Sequence, residues 1–191
     1  MTSAAEGGAA FGLSSIPTRP VDAVFARCVP QLDFDFGDPP RYLFGSGRAK
    51  RFNPDGVRCI YFSEGDRVAD AEYAGGWGTF ADSLQPKLTF HARVRIAHVL
   101  DLETPDILGK LKVREADLFG PWRLATEPTR LQLLGAAISR QKRIAAIRFP
   151  SRAARNLEPP GWNVAIFLEP LRAPDRVEIL GRAGKRLEVL P

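Results

Sequence analysis

The stretch KLTFHARVRIAHVLDL, residues 87–102, sets the first limit on the fold. Leu88, Phe90, Ala92, Val94 and Ile96 fall on one side of an extended chain, and Lys87, Thr89, His91, Arg93 and Arg95 fall on the other. That is the period of two of a half-buried strand, the clearest in the chain. VRCIYF (57–62), RIAAIRFP (143–150) and NVAIFLEP (163–170) read as short buried strands, and VEILGRAGKRLEVL reads as a hairpin turning at 181–184. Helical spacing is rarer. Residues 127–142 carry Leu131, Leu134, Ala137 and Ile138 on one helical face, and TPDILGKL (104–111) opens with Thr104 as N-cap and Pro105 at the first position. PVDAVFARCV (20–29) is predicted as a short helix with Pro20 in its first turn. Strands outnumber helices without alternating with them, which predicts an α+β fold with a mixed or antiparallel β core.

The 191 residues suffice for one well-formed core. No run of about 18 apolar residues occurs, so no membrane span is expected, and the first 20 residues lack the basic start and apolar centre of a secretory signal. A cytoplasmic protein is the expectation. Cys28 and Cys59 are too few for a disulfide framework or a metal set and are read as reduced thiols packed as small apolar groups. The formal charge of +5 admits nucleic acid or an anionic small ligand, but Lys and Arg are scattered without a dense block or interleaved aromatics. Direct nucleic-acid binding therefore ranks below a phosphate-bearing metabolite.

Chemistry concentrates in residues 41–76. Arg41, Arg48 and Arg51 surround a glycine-rich turn, GSGRAK, which lacks the Gly-Lys-Ser/Thr ending of a phosphate-binding P-loop. NPDG (53–56) is a turn. Ser63, with Asp66 three residues on, reads as the N-cap of a short helix that carries Glu72 and ends at two glycines. Guanidinium forks suit a diphosphate, a tyrosine such as Tyr61 offers a flat face and a hydroxyl, and a carboxylate can hold ribose hydroxyls and stabilise an oxocarbenium-like transition state. Taken singly, each has a plainer reading: a solvated arginine, a core tyrosine, an exposed glutamate. Residue types alone leave both readings open.

The order of these residues resembles the RES domain, named for its Arg, Glu and Ser. That pattern runs Arg-Tyr, a glycine-containing turn, Gly-Gly-Arg-Trp-Asn-Pro, a strand ending in Tyr, and a short helix ending in Glu. Here RY is Arg41–Tyr42, KRFNPDG brings Arg51, Asn53 and Pro54, IYFSE brings Tyr61, and ADAEYA brings Glu72. TRLQLLGAAISRQKRIAAIRFPS is similar to the family's Ser-x-x-Gln helix and following strand, with Thr129 at the usual serine, Gln132 after it and Ser151 at a second serine, and GWNVAIF is similar to the terminal strand with Asn163. The resemblance spans roughly residues 39–170 and is most specific from Arg51 to Glu72. It departs at Ala49 and Lys50, where the family has a glycine pair, and in the short gap from Arg41 to Arg51, which leaves Arg48 as an alternative first arginine.

The resemblance implies a fold like the ADP-ribosyltransferase core, in a catalytic domain over residues 39–191 with residues 1–38 as an extension packed on it. It implies a toxin of a toxin–antitoxin pair that consumes NAD+ as substrate, without a metal, by cleaving the nicotinamide–ribose bond, phosphate or water being the acceptor. Glu72, Arg51 and Thr129 would be catalytic, and Arg41, Tyr42, Arg48, Arg51, Tyr61, Gln132 and Ser151 would bind the dinucleotide. Arg51 would hold the diphosphate, Tyr61 would pack at the nicotinamide–ribose end, and Glu72 would face the ribose. The implied partner is an Xre-type antitoxin whose segment plugs the pocket and through which any contact with DNA is made. Two alternatives stand beside this: ADP-ribosylation of a protein target, and a non-enzyme, either an inactive RES-like pocket or a nucleic-acid-binding module. His91 and His98 lie outside the motif and are given structural or surface roles.

Overall fold

A computed structural model describes residues 11–32, 47–76, 86–181 and 184–191. Seven strands are present among them: β1 (Arg19–Pro30), β2 (Cys59–Ser63), β3 (Lys87–Asp101), β4 (Ala146–Pro150), β5 (Trp162–Phe167), β6 (Arg176–Leu180) and β7 (Arg186–Leu190). The helices are α1 (Asp66–Gly76), α2 (Pro105–Leu111), α3 (Glu115–Phe119) and α4 (Arg130–Ser139), with a 3-10 turn at Trp122–Leu124 between the last two. The sheet order is β1-β2-β5-β4-β3-β6-β7, and β1 also pairs with β3. Five strands therefore form a ring, from which β6 and β7 extend. All pairings are antiparallel except β3 with β4. The α+β class expected from the sequence is what the chain adopts.

The long alternating strand organises this ring. Its first half pairs with β1 on one edge and β6 on the other, and its last three residues pair with β4. Ala92, Val94 and Ile96 are buried, as their alternation predicted. They join Ile60, Phe62, Val164 and Ile166 in one core. A second core lies on the opposite face of β2, β4 and β5, where Cys59, Ile147, Phe149, Ala165 and Phe167 meet Leu131, Leu134 and Ile138 of α4. The short central strands are thus covered on both faces, which is why they read as continuous apolar runs rather than alternations.

Two local expectations are corrected. Residues 20–29 are not a helix but most of β1, paired in register along β3 from Val21↔Ile96 to Pro30↔Lys87. The edge offered by β3 outweighs the weak helix signal of Pro20, and Val21, Val24 and Phe25 suit a strand. Ser63 is not a helix cap: it is the last residue of β2, and its hydroxyl donates to Asn163 Oδ1 at 2.8 Å. By contrast, Thr104 stands at the N-cap of α2 as expected, and Thr129 stands at the N-cap of α4. Residues 33–46, which include DFDFGDPP, Arg41, Tyr42 and the boundary expected near residue 38, lie outside the described residues.

Candidate active site

The segment 47–57 is a loop closed on one asparagine. Asn53 is fully buried, and its Nδ2 donates to the carbonyls of Arg48 at 2.8 Å and Val57 at 3.0 Å. The Lys50 amide donates to the Asn53 carbonyl at 2.8 Å, and the Ala49 amide to Asp55 Oδ1 at 2.8 Å. The predicted turn at 53–56 closes the loop, with Gly56 at φ 84°, a conformation that favours glycine. Tyr61 holds the loop to the sheet. Its hydroxyl accepts from the Phe52 amide at 3.0 Å and donates to Asn53 Oδ1 at 2.9 Å. Burial pushes the phenol pKa well above its usual value, so Tyr61 stays a neutral donor.

Helix α4 anchors the other side. Gln132 Nε2 donates to the Lys50 carbonyl at 2.9 Å. Gln132 Oε1 accepts from the Thr129 amide at 2.8 Å, while Thr129 Oγ1 accepts from the Gln132 amide at 3.3 Å. This is a capping box, so the Ser-x-x-Gln spacing has a direct physical use here. One turn further on, a Cβ on Gly135 would stand 1.5 Å from the Phe52 carbonyl oxygen. Only a glycine lets the loop lie this close to the helix.

With its backbone fixed, the loop presents two cations. Arg51 Nη1 donates to the carbonyls of Leu118 at 2.6 Å and Gly120 at 3.2 Å, at the end of α3. Burial lowers the Arg51 pKa; Glu72 opposes that shift, and Arg152 and Arg123 add to it. Arg51 therefore sits within electrostatic reach of Glu72, Tyr61, Arg152 and Arg123. Lys50 places Nζ 5.4 Å from the centre of the Tyr61 ring, within cation–π range. Phe149 packs edge-on against the same tyrosine, with ring centroids 6.4 Å apart.

Glu72, half-buried in α1, provides the anion. Its Oε1 accepts from Ser151 Oγ and from Asn163 Nδ2, both at 2.6 Å. Asn163 is oriented in turn by Ser63, and Ser151 Oγ accepts from the Ala154 amide at 2.9 Å. Ser151 is fully buried, and Asn163 and Ser63 are each 6% exposed. Carboxylate, hydroxyl and amide thus form one chain from the end of β2 through β5 and α1 to the end of β4. Short charge-assisted bonds of this kind fix the orientation of a carboxylate. Among the described residues, Oε2 makes no hydrogen bond.

The residues expected from the sequence thus divide. Arg51, Tyr61 and Glu72 come together around one region, and Ser151 joins through Glu72. Thr129 and Gln132 act on the backbone of the loop, through the cap and the Lys50 carbonyl. Arg48 is exposed and contributes its carbonyl to Asn53. Arg41 and Tyr42 lie outside the described residues. Sequence reasoning did not assign site roles to Lys50 or to Asn163, although Asn163 lay in a matched strand. The signal for Asn163 was a lone amide in an apolar run, a residue type that stays buried only when its donors and acceptors are satisfied. His91 bonds Asp66 and His98 bonds Thr18, both away from Glu72. No helix among the described residues is long and apolar enough to cross a membrane.

A family model for the RES domain matches residues 24–185. Among solved structures, a chain from the crystal structure of the M. tuberculosis MbcT–MbcA toxin–antitoxin complex aligns over 98% of this chain and 93% of its own, with a TM-score of 0.56 and 15% identity. That likeness is one of fold. No curated protein shows significant sequence similarity. The matched span takes in every residue just described, from Arg51 through Glu72 to Ser151 and Asn163, and the chain belongs to the RES domain family.

Proposed function

We propose that this chain is the toxin of a toxin–antitoxin pair and depletes NAD+ by cleaving its nicotinamide–ribose bond, with phosphate or water as acceptor. The observation that carries this reading is a carboxylate, Glu72, held on one oxygen by two uncharged donors within electrostatic reach of a half-buried arginine. Family membership and the fold shared with a chain of a toxin–antitoxin complex support it.

The chemistry follows from what each group offers. Loss of nicotinamide breaks the C–N glycosidic bond and leaves positive charge on the ribose. Ser151 and Asn163 orient Glu72 as uncharged donors, and among the described residues it has no ion-pair partner. Its second oxygen is turned to the ribose hydroxyls and stabilises the developing cation. Arg51 spends Nη1 on two carbonyls, and its remaining N–H donors meet the diphosphate. The neutral Tyr61 hydroxyl holds the loop so that both charges keep their separation as the bond breaks. An acceptor oxygen then attacks the anomeric carbon. Leaving a buried charge unpaired is costly, so an Xre-type antitoxin that covers this region brings acidic groups to its cations.

The test is incubation of the purified protein with NAD+, with and without phosphate, followed by chromatography of the products. Release of nicotinamide, lost in a folded Glu72→Gln variant, is the expected result. An unchanged NAD+ pool, or full turnover by Glu72→Gln, overturns the reading. Expression of the chain alone should arrest growth and lower cellular NAD+, and normal growth with normal NAD+ would count against the toxin.

A further inference from the structure

We propose that Lys50 is a second anion-holding residue of this site, standing beside Arg51 and binding the phosphate groups of the substrate in its ammonium form. This rests on the dinucleotide reading above and deepens it. The geometry carries the inference. Lys50 is fixed through its backbone on both sides, its amide on the Asn53 carbonyl at 2.8 Å and its carbonyl on Gln132 Nε2 at 2.9 Å. Its side chain lies over the Tyr61 ring, and the next residue, Arg51, is within electrostatic reach of that same tyrosine. Lys50 thus holds its cation over the aromatic ring while Arg51, the next residue, carries its own to the end of α3, so that two successive cations stand on one braced loop.

Among the described residues, the charged groups that act on Lys50 are of its own sign. Arg27 of β1 and Arg123 of the 3-10 turn act on it as like charges, Cys59 of β2 is a thiol whose pKa burial raises, and Tyr61 is neutral. Among the described residues Lys50 has no carboxylate partner, and Glu72 is the carboxylate that acts on Arg51. Among the described residues, a single anion beside several cations leaves room for a ligand bearing more than one negative charge. Burial, with Arg27 adding to it, brings the Lys50 pKa down to about 8. An arriving phosphate favours the ammonium form, so binding is coupled to proton uptake near and above that pH.

The experiment is binding of ADP-ribose and, separately, of inorganic pyrophosphate by titration calorimetry at about pH 7 and about pH 9.5. Wild type, Lys50→Met and Lys50→Arg are compared, with circular dichroism confirming the fold of each. Wild-type affinity for both probes is expected to fall about tenfold or more at the higher pH, Lys50→Met to be weak at both, and Lys50→Arg to hold its affinity because guanidinium does not titrate there. Equal binding by Lys50→Met and wild type, or an equal pH loss in Lys50→Arg, overturns the inference while leaving the dinucleotide reading standing. Lys50-dependent binding of pyrophosphate without any binding of ADP-ribose supports the anion site and overturns the dinucleotide reading. Failure of wild type to bind either probe overturns both.

Discussion

Replacing Asn163 by alanine tests whether the chain from Ser63 to Glu72 is what holds the carboxylate. Asn163 donates to Glu72 Oε1 at 2.6 Å and accepts from Ser63 at 2.8 Å, and it is 6% exposed. A hydrogen bond to a charged group contributes about 1.5–3 kcal/mol, and stranding a buried hydroxyl costs about 1–3 kcal/mol. Glu72 is half-exposed and water reaches it, so the lower part of the summed range applies, about 2.5–4 kcal/mol. For a chain of this size each kcal/mol moves the melting temperature by about 2–4 °C, so Asn163→Ala should melt roughly 5–15 °C lower. Nicotinamide release should fall by up to about a hundredfold, because Glu72 keeps its charge and loses its aim. Asn163→Asp sharpens the test. The introduced carboxylate replaces a donor and faces Glu72, so the pair must share a proton, and stability should recover as pH falls below neutrality. An Asn163→Ala protein that melts with wild type and releases nicotinamide at the wild-type rate would refute the reasoning, since Glu72 would then be held by something else.

Further outcomes follow from the loop and its anchors. Gly135→Ala drives a methyl group into the Phe52 carbonyl and should cost about 1–3 kcal/mol in urea denaturation, with loss of ligand binding as the loop shifts. Thr129→Val removes the cap and should cost about 1 kcal/mol, while Thr129→Ser stays near wild type and both keep releasing nicotinamide. Loss of turnover in a folded Thr129→Val would instead place the hydroxyl on the substrate. Lys50→Met should be more stable than wild type at neutral pH. The folded-state pKa of Lys50 lies at about 8, below its ordinary 10.5, so the cost of burying the ammonium is full below 8 and disappears as pH rises through 10.5, and the two melting curves should converge there.

How much of this was readable in the sequence depended on whether the signal was local. The strand at 87–102 announced itself because its alternation is set by a sheet with one face in a core. The N-cap at Thr104 was readable because a cap is made within four residues. The segment 20–29 was not, because its strand character comes from pairing with β3, some 65 positions away, and little within it opposes a helix. Ser63 failed for the same reason. Its position suited a cap, but Asn163, 100 residues on, took its hydroxyl. In the site, Arg51, Tyr61, Glu72 and Ser151 were picked out by their order along the chain, whereas Asn163, which also orients Glu72, arrives on β5 as a single polar letter in an apolar run.

The way charges are held separates this region from the rest of the surface. Elsewhere cations meet carboxylates: Arg93 and Arg95 on Asp22, Lys87 on Asp70, Arg114 on Asp117, Arg58 on Glu169. Such pairs cancel their fields and offer little to a ligand. Around Tyr61 the anchors are neutral. Glu72 rests on a hydroxyl and an amide, Arg51 on two carbonyls, and Lys50 lies over a ring. Neutral anchors alone do not make a site, since Arg143 also rests on the carbonyls of Leu13 and Ile16 and Arg130 on that of Leu111. Those two arginines commit both terminal nitrogens, or the nitrogen pair on one edge, to tying a segment of chain. Among the described residues Arg51 commits Nη1 only, and it does so within reach of a carboxylate whose second oxygen has no partner among them. Opposite charges are thus held in position without cancelling, the arrangement that a substrate with a cationic transition state at one end and a diphosphate at the other requires.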